Sequence, residues 1–275
     1  MSYGGYKETR IIRWSIFISA FIFIGFMVIL PLTTVFYFAL KNGFTVYIQA
    51  LTRPESISSI QLTLLVGATA LTLNTIFGIA IAWAVSKFDF AYKRLLVALI
   101  DLPFTVSPVI AGMVFILLFG SDGFLGEWCI NHDIKIVFST TGIVLATTFV
   151  TLPFVARSLI SLMTTQGREE EEAAVTLGAD FMTTFWKVTL PSVKWALLYG
   201  MVLCFARAIG DFGAVSVVAG SMKSVTIEIF ELYNEYLSSE AFALASVLTF
   251  VALVALGIKK SIEKFHSENG GKNEY

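Results

Sequence analysis

The sequence predicts an all-α, polytopic membrane protein with six transmembrane helices and both termini on the cytoplasmic side. Three observations lead there. Hydrophobic residues make up 56% of the 275 residues and charged ones 14%, with a mean hydropathy of +0.79. That leaves too little polar surface for a soluble domain of this size. The apolar residues also fall into six continuous runs, each long enough for the about 20 residues a spanning helix needs. Continuous rather than alternating runs favour helices over a barrel, because a helix satisfies its own backbone groups in lipid. Lysine and arginine, finally, crowd one set of connections.

The first run, 14–40, follows Lys7, Arg10 and Arg13. It is far longer than the about 7–15 apolar residues of a secretion signal, and no small-residue cleavage site interrupts it. It is therefore expected to stay as the first span. The remaining runs lie at about 58–86, 94–119, 139–163, 191–219 and 241–258. One side of these spans carries Lys7, Arg10, Arg13, Lys87, Lys93, Arg94, Arg168, Lys187 and the tail residues Lys259, Lys260, Lys264 and Lys272. The opposite connections hold Lys41, Arg53, Lys135 and Lys223. The basic side is predicted cytoplasmic, and an even number of spans puts both termini there.

Several spans are interrupted. The third contains Pro103 and Pro108 in "DLPFTVSPVIAG", and the fourth contains Pro153. The fifth runs 30 residues from Pro191 to Gly220, roughly 45 Å as continuous helix at about 1.5 Å per residue. That exceeds a hydrocarbon core of about 30 Å, so it must tilt, protrude or break. The run "GDFG" at 210–213 is the expected place for a break. Proline and glycine in membrane helices often mean a kink, and broken backbone beside a water-filled path is the functional alternative.

The stretch "EEEEAAVTLGADFMTTFWKVTLP", Glu169 to Pro191, is out of keeping with its greasy surroundings. Glu169 to Glu172 suit the positive end of a helix dipole, and Ala173, Ala174 and Leu177 continue that helix. Gly178 can end it in the left-handed conformation. Asp180 suits the N-cap of a second short helix, 181–188, with Phe181, Phe185 and Val188 on one apolar stripe. Leu190-Pro191 then opens the fifth span, with proline at an N1-like position. The whole reads as two short helices with a hinge. An interfacial pair lying on lipid is the plain alternative, but an apolar stripe beside four carboxylates fits an anionic leaflet poorly. A protein partner with a groove suits it better.

The spacing of Glu172-Ala173-Ala174, Gly178, Val188 and Leu190-Pro191 resembles the EAA loop of type I ATP-binding-cassette importer permeases. The resemblance runs from about Ile57 to Ile258. Within it, "DLPFTVSPVIAG", "TLPFVARSL" at 151–159 and "ARAIGDFGAVSVVAGS" at 206–221 are similar to the sulfate/thiosulfate branch, and to the W-type of its two unlike permease subunits. The resemblance implies the type I importer permease fold. Its parts would be 1–56 (cytoplasmic N-terminal segment, first helix and outer loop), 57–258 (the transmembrane domain with the coupling loop 167–191) and 259–275 (a cytoplasmic tail). It implies a loop that inserts into a cytoplasmic ATPase through Glu172, Ala173, Ala174, Gly178, Phe181, Phe185, Leu190 and Pro191. The implied partners are two ATPase chains, a second, homologous permease in a heterodimer, and an external sulfate-binding protein. ATP and Mg would sit on the ATPase, and the setting would be a bacterial cytoplasmic membrane. Molybdate and tungstate permeases have similar loops and are the alternative.

Few ionisable residues fall inside the spans. Asp101, Arg157, Arg207 and Asp211 are the clearest, each costly at about 2.5–3.5 kcal/mol near mid-span. Arg207 and Asp211 stand four apart and can pair on one helix face, either as an internal structural pair or as an oxyanion-attracting gate. Asp101 is expected within the outer third of the core, and Arg157 is expected to snorkel to the cytoplasmic interface. Ser107 and Ser216 are candidate neutral donors, although such hydroxyls usually bond their own backbone. In the loop 222–240, Glu228, Glu231, Glu235 and Glu240 alternate with Ile229, Leu232 and Tyr236, as in an amphipathic surface helix or a dock for a binding protein.

Other classes fit less well. A net charge of −1 argues against nucleic acid. Cys129 and Cys204 lack metal or redox spacing, and His132 and His266 form no HExxH pattern. With no GxxxxGK[ST], the chain has no P-loop of its own. It also lacks any nucleophile–base set, so it is expected to be non-catalytic. An ion-gradient-driven secondary transporter is the alternative from another class, but inverted-repeat signs are missing.

Overall fold

The computed structural model describes residues 10–270, with side chains over 14–262. Lys7, Lys264, His266 and Lys272, and the side chains of Arg10 and Arg13, lie outside the described residues or side chains. Among the described residues all regular structure is helical. The first span joins α1 (Arg10–Ile24) to α2 (Leu30–Leu40) through a π turn, Gly25–Ile29. Its side chains are apolar all round and mostly exposed, with Phe21 at 76%, as a helix wrapped by lipid requires. At its far end Phe38 stacks on Phe242 with centroids 5.2 Å apart.

A short helix, α3 (Phe44–Thr52), leads to α4 (Pro54–Lys87), the longest straight element. Then follow α5 (Lys93–Thr105), α6 (Pro108–Phe119), α7 (Gly126–Asn131) and α8 (Thr140–Gln166). The loop region holds α9 (Glu169–Thr176) and α10 (Phe181–Thr184). A second π turn, Phe185–Thr189, joins α10 to α11 (Leu190–Ile209), and α12 (Gly213–Val218), α13 (Val225–Asn234) and α14 (Ser238–Gly270) complete the chain.

Two expectations about the spans need correction, and a third is made specific: the interruption expected in the third span is a bend, with α5 and α6 meeting at 112°. Val106 and Ser107 are extended there, because the residue before a proline is pushed out of the helical region. Among the described residues five helices are long and apolar enough to cross a membrane, and the bent pair makes a sixth crossing if counted as one.

The helical run that carries the fifth span is Phe181–Ile209, not 191–219. The expected break at "GDFG" is present, with Gly210, Asp211 and Phe212 outside any helix before α12 resumes. The separate second helix at 181–188 is instead the first part of this helical run. Leu190-Pro191 does not interrupt it, because the Leu190 N–H reaches back five residues to the Phe185 carbonyl. Leu30 does the same to Gly25 before Pro31. Proline lacks a donor and crowds the carbonyl four residues back, and one extra residue in the turn relieves both problems. The sixth span is also longer than 241–258, covering Ser238–Ile262 within a helix that runs on to Gly270.

The core is the seam of α4, α8 and α11. Ala82, Val155, Leu159, Met163, Val193 and Cys204 pack there. Small residues set the spacing: a Cβ on Gly78 would stand 3.0 Å from Val155, and one on Gly200 would stand 3.1 Å from Val155 and Ser158. Lipid is as apolar as leucine, so close backbone approach and hydrogen bonds, not the hydrophobic effect, hold such helices together. Asn74, fully buried, supplies the hydrogen bonds: its Nδ2 donates to Thr151 Oγ1 at 2.8 Å and the Thr148 carbonyl at 3.2 Å, with Cys204 Sγ at 3.6 Å.

Candidate functional site

The loop between α8 and α11 is a compact knob. Gly167 turns the chain out of α8 at φ +73°, and the four glutamates begin α9. Gly178 ends α9 at φ +89°, its N–H bonding the Val175 carbonyl at 2.9 Å while the Ala179 N–H bonds Ala174 at 3.0 Å. Glycine is the residue that adopts this conformation without strain. Asp180 stands at the cap position of α10 with extended backbone, and hydrogen bonds from the Thr183 side chain, then the Thr183 and Met182 backbone, hold its carboxyl below the ordinary range. Leu177 is 89% exposed at the tip, and Val175, Phe181 and Met182 are exposed beside it.

The apolar stripe divides. Trp83, from the end of α4, lies between Phe181 and Phe185, with centroids at 4.6 and 5.0 Å. Phe185 and Val188 are half-buried against the bundle, whereas Phe181 keeps a free face. Glu172 and Ala173 are exposed and Ala174 is half-buried; Leu190 is half-buried and Pro191 exposed. The glutamates divide as well. Glu169, Glu170 and Glu172 point outward, while Glu171 turns in to Lys87 at 2.7 Å. Beside it Arg168 bonds Asp89 at 2.8 Å, and Lys93 reaches the same carboxylate at 3.3 Å. The bonds from Arg168 and then Lys93 hold the Asp89 carboxyl below its ordinary range. Trp83, Lys87 and Glu171 carry no sequence signature. A lysine closing a long apolar run, in a chain with a glutamate cluster to match, was the available signal.

The second candidate region is the break after α11. Arg207 Nη1 bonds Asp211 Oδ1 at 3.3 Å, as the four-residue spacing predicts. The Arg207 side chain is 33% exposed and that of Asp211 1%. Thr226 Oγ1 on α13 donates to the Asp211 carbonyl at 3.0 Å, which fixes the broken backbone. Ser216 bonds its own backbone at the Gly213 carbonyl, 3.1 Å away, and Ser107, exposed, precedes α6 without a side-chain cap bond. The two breaks are neighbours, with Gly213 set against Pro108 and Gly112 against Ala214.

Asp101 binds Arg157 through both carboxylate oxygens. Arg157 is therefore an ion-pair member joining α5 to α8. The pair spans 56 residues of sequence, so no local pattern announces it.

In α13, Glu228 and Leu232 are buried, not spread over a surface stripe. Lys223 pairs with Glu231 and lies 3.7 Å from Glu228, and the bond to Glu231 raises its pKa above the usual lysine value. Glu240 pairs with Arg53, and Tyr236 is 92% exposed.

A bundle of apolar rods with a projecting hinged knob at one end and an ion pair at a helix break defines a multi-pass membrane permease. The chain belongs to the family described as binding-protein-dependent transport system inner membrane component, whose match covers residues 74–264. It is 43% identical over 243 residues to the sulfate transport system permease protein CysW of Escherichia coli (strain K12), covering 87% of this chain and 84% of that one. It is 42% identical over 261 residues to the CysW protein of Synechocystis sp., covering 94% and 95%. Identity to the sulfate transport system permease protein CysT of E. coli is 34%, over 86% of this chain and 87% of that one. The fold matches a crystal structure of a bacterial ABC transporter involved in the import of the acidic polysaccharide alginate, with TM-score 0.75 and 16% identity, covering 93% and 94% of the two chains.

Proposed function

We propose that this chain is the W-type transmembrane subunit of an ATP-driven sulfate/thiosulfate importer in a bacterial cytoplasmic membrane, with both termini and the 167–191 loop on the cytoplasmic side. The observation that carries the reading is the knob: a glycine-hinged helix with exposed Leu177 and Phe181 that stands on the ends of α4 and α11. The names of its relatives, with higher identity to CysW than to CysT, support the substrate and the subunit type.

In this reading the chain is non-catalytic and pairs with a second, homologous permease. Two ATPase chains hold ATP and Mg beneath the pair, and an external binding protein delivers the anion. Closure of the ATPase pair moves the knobs together. The spans then turn from inward-open to outward-open, provided ATP binds the two states with different affinity. Arg207, held by Asp211 at the α11 break, offers a two-pronged donor to a tetrahedral oxyanion, with Ser107 and Ser216 as candidate neutral donors. Asp101 acts through its pair with Arg157.

Purification in mild detergent tests the assembly, and uptake of radiolabelled sulfate with thiosulfate and molybdate as competitors tests the cargo. Co-purifying ATPase chains and uptake blocked by thiosulfate are expected. Loss of sulfate uptake to molybdate at lower concentration would reassign the cargo. Unchanged uptake after Gly178→Trp, with no ATPase ever bound, would overturn the reading.

A further inference from the structure

The knob is not simply hung between α8 and α11. Lys87, the last residue of α4, places its ammonium on the Glu171 carboxylate at 2.7 Å and also donates to the Gly167 carbonyl. The other oxygen of the same carboxylate accepts from Thr189 Oγ1 at 3.1 Å. Thr189 belongs to the π turn that opens α11 and is 1% exposed, while the Lys87 and Glu171 side chains are 9% and 17% exposed. One carboxylate thus ties together three elements that are distant in sequence: the end of α4, the first turn of α9 and the root of α11. Trp83, one turn before Lys87, adds the apolar half of the joint against Phe181 and Phe185.

Gly167 at φ +73° and Gly178 at φ +89° would by themselves let the knob swivel. A displacement taken up by swivelling does no work on the spans. We infer that Lys87, Glu171 and Thr189 form a clamp that makes the knob one rigid body with α4 and α11, so that Lys87 and Glu171 are positioning residues for transmission from the ATPase to the spans. The inference rests on the importer reading. The desolvated geometry is the physical ground: an ion pair this sheltered holds its members in one arrangement, and removing either leaves a charge without its partner. Glu171 is distinct here from the three outward glutamates, which remain free to meet another protein.

The test uses the whole importer, reconstituted in lipid vesicles, with transport counted per ATP hydrolysed. Lys87→Glu is expected to lower that ratio on the order of tenfold, as an unpaired sheltered charge opens the joint, while ATPase chains still co-purify. The double exchange Lys87→Glu with Glu171→Lys is expected to restore most of it. Thr189→Val, which leaves the ion pair intact, is expected to lower the ratio by about two- to threefold, the scale of one lost hydrogen bond, and remains usable if the charge variants do not fold. An unchanged ratio in Thr189→Val and Lys87→Glu, or a double exchange no better than the single one, overturns the clamp while leaving the importer reading standing. Failure of the unsubstituted chain to bind any ATPase overturns both.

Discussion

Gly213 lies against Pro108 so closely that a Cβ on the glycine would stand 2.9 Å from the proline Cβ. The two residues each begin the helix after a break, α12 after the one at 210–212 and α6 after the one at 106–107. Irregular backbone within a membrane is tolerated where protein or water satisfies it, and here each break is packed on the other.

Gly213→Ala should therefore separate the breaks. Neither a proline ring nor helix backbone can yield cheaply, so a cost of about 1–3 kcal/mol is expected, the scale of overpacking in a close-packed site. Thermal unfolding in detergent would read this as a lowered midpoint. An unchanged midpoint would mean that the breaks do not bear on each other.

Gly178→Ala meets no steric neighbour, since nothing lies within 4 Å of the position. Its effect must come from the +89° φ angle, at about 1–2 kcal/mol for a residue with a Cβ. The outcome expected is a reshaped knob: weaker ATPase binding and slower sulfate uptake, with the unfolding midpoint lowered only on the scale of that backbone strain.

Substitutions in the Arg207–Asp211 pair should part company. Arg207→Ala leaves the 1% exposed carboxylate unpaired and is expected to cost about 3–5 kcal/mol of stability. Arg207→Lys keeps the charge and loses the fork, so it should fold while raising the KM for sulfate. If Arg207→Lys transports sulfate with unchanged KM, the pair is purely structural.

Asn74→Leu removes the hydrogen bonds that join α4 to Thr148 and Thr151 on α8. Interhelical bonds in membranes average about 0.6 kcal/mol and reach about 1.7, so a loss of about 1 kcal/mol is expected. Asn74→Ala, which also opens a void in the seam, should lose more.

Much of the molecule was legible because its causes are local. Gly178 ends a helix wherever it follows one, "GDFG" cannot sustain one, and Arg207 meets Asp211 because four residues make about one turn. Other features depend on residues far apart. The α5–α6 bend begins with Pro108, but its 112° angle is set where Gly112 and Gly213 let α12 come close. Arg157 had no reason in sequence to prefer Asp101 over the lipid interface, and Phe185 none to face Trp83 rather than a partner.

By itself the sequence determined that this chain crosses a lipid bilayer as helices, and where a hinged knob leaves them. Hydropathy, proline and glycine act over one helical turn or one span, and no partner is needed to read them. Tertiary structure alone decided which charges are neutralised and by whom: Lys87 by Glu171, Arg157 by Asp101, Lys223 by Glu231. Each charge takes the partner that packing brings within a few ångströms, and local sequence pattern does not enter that choice.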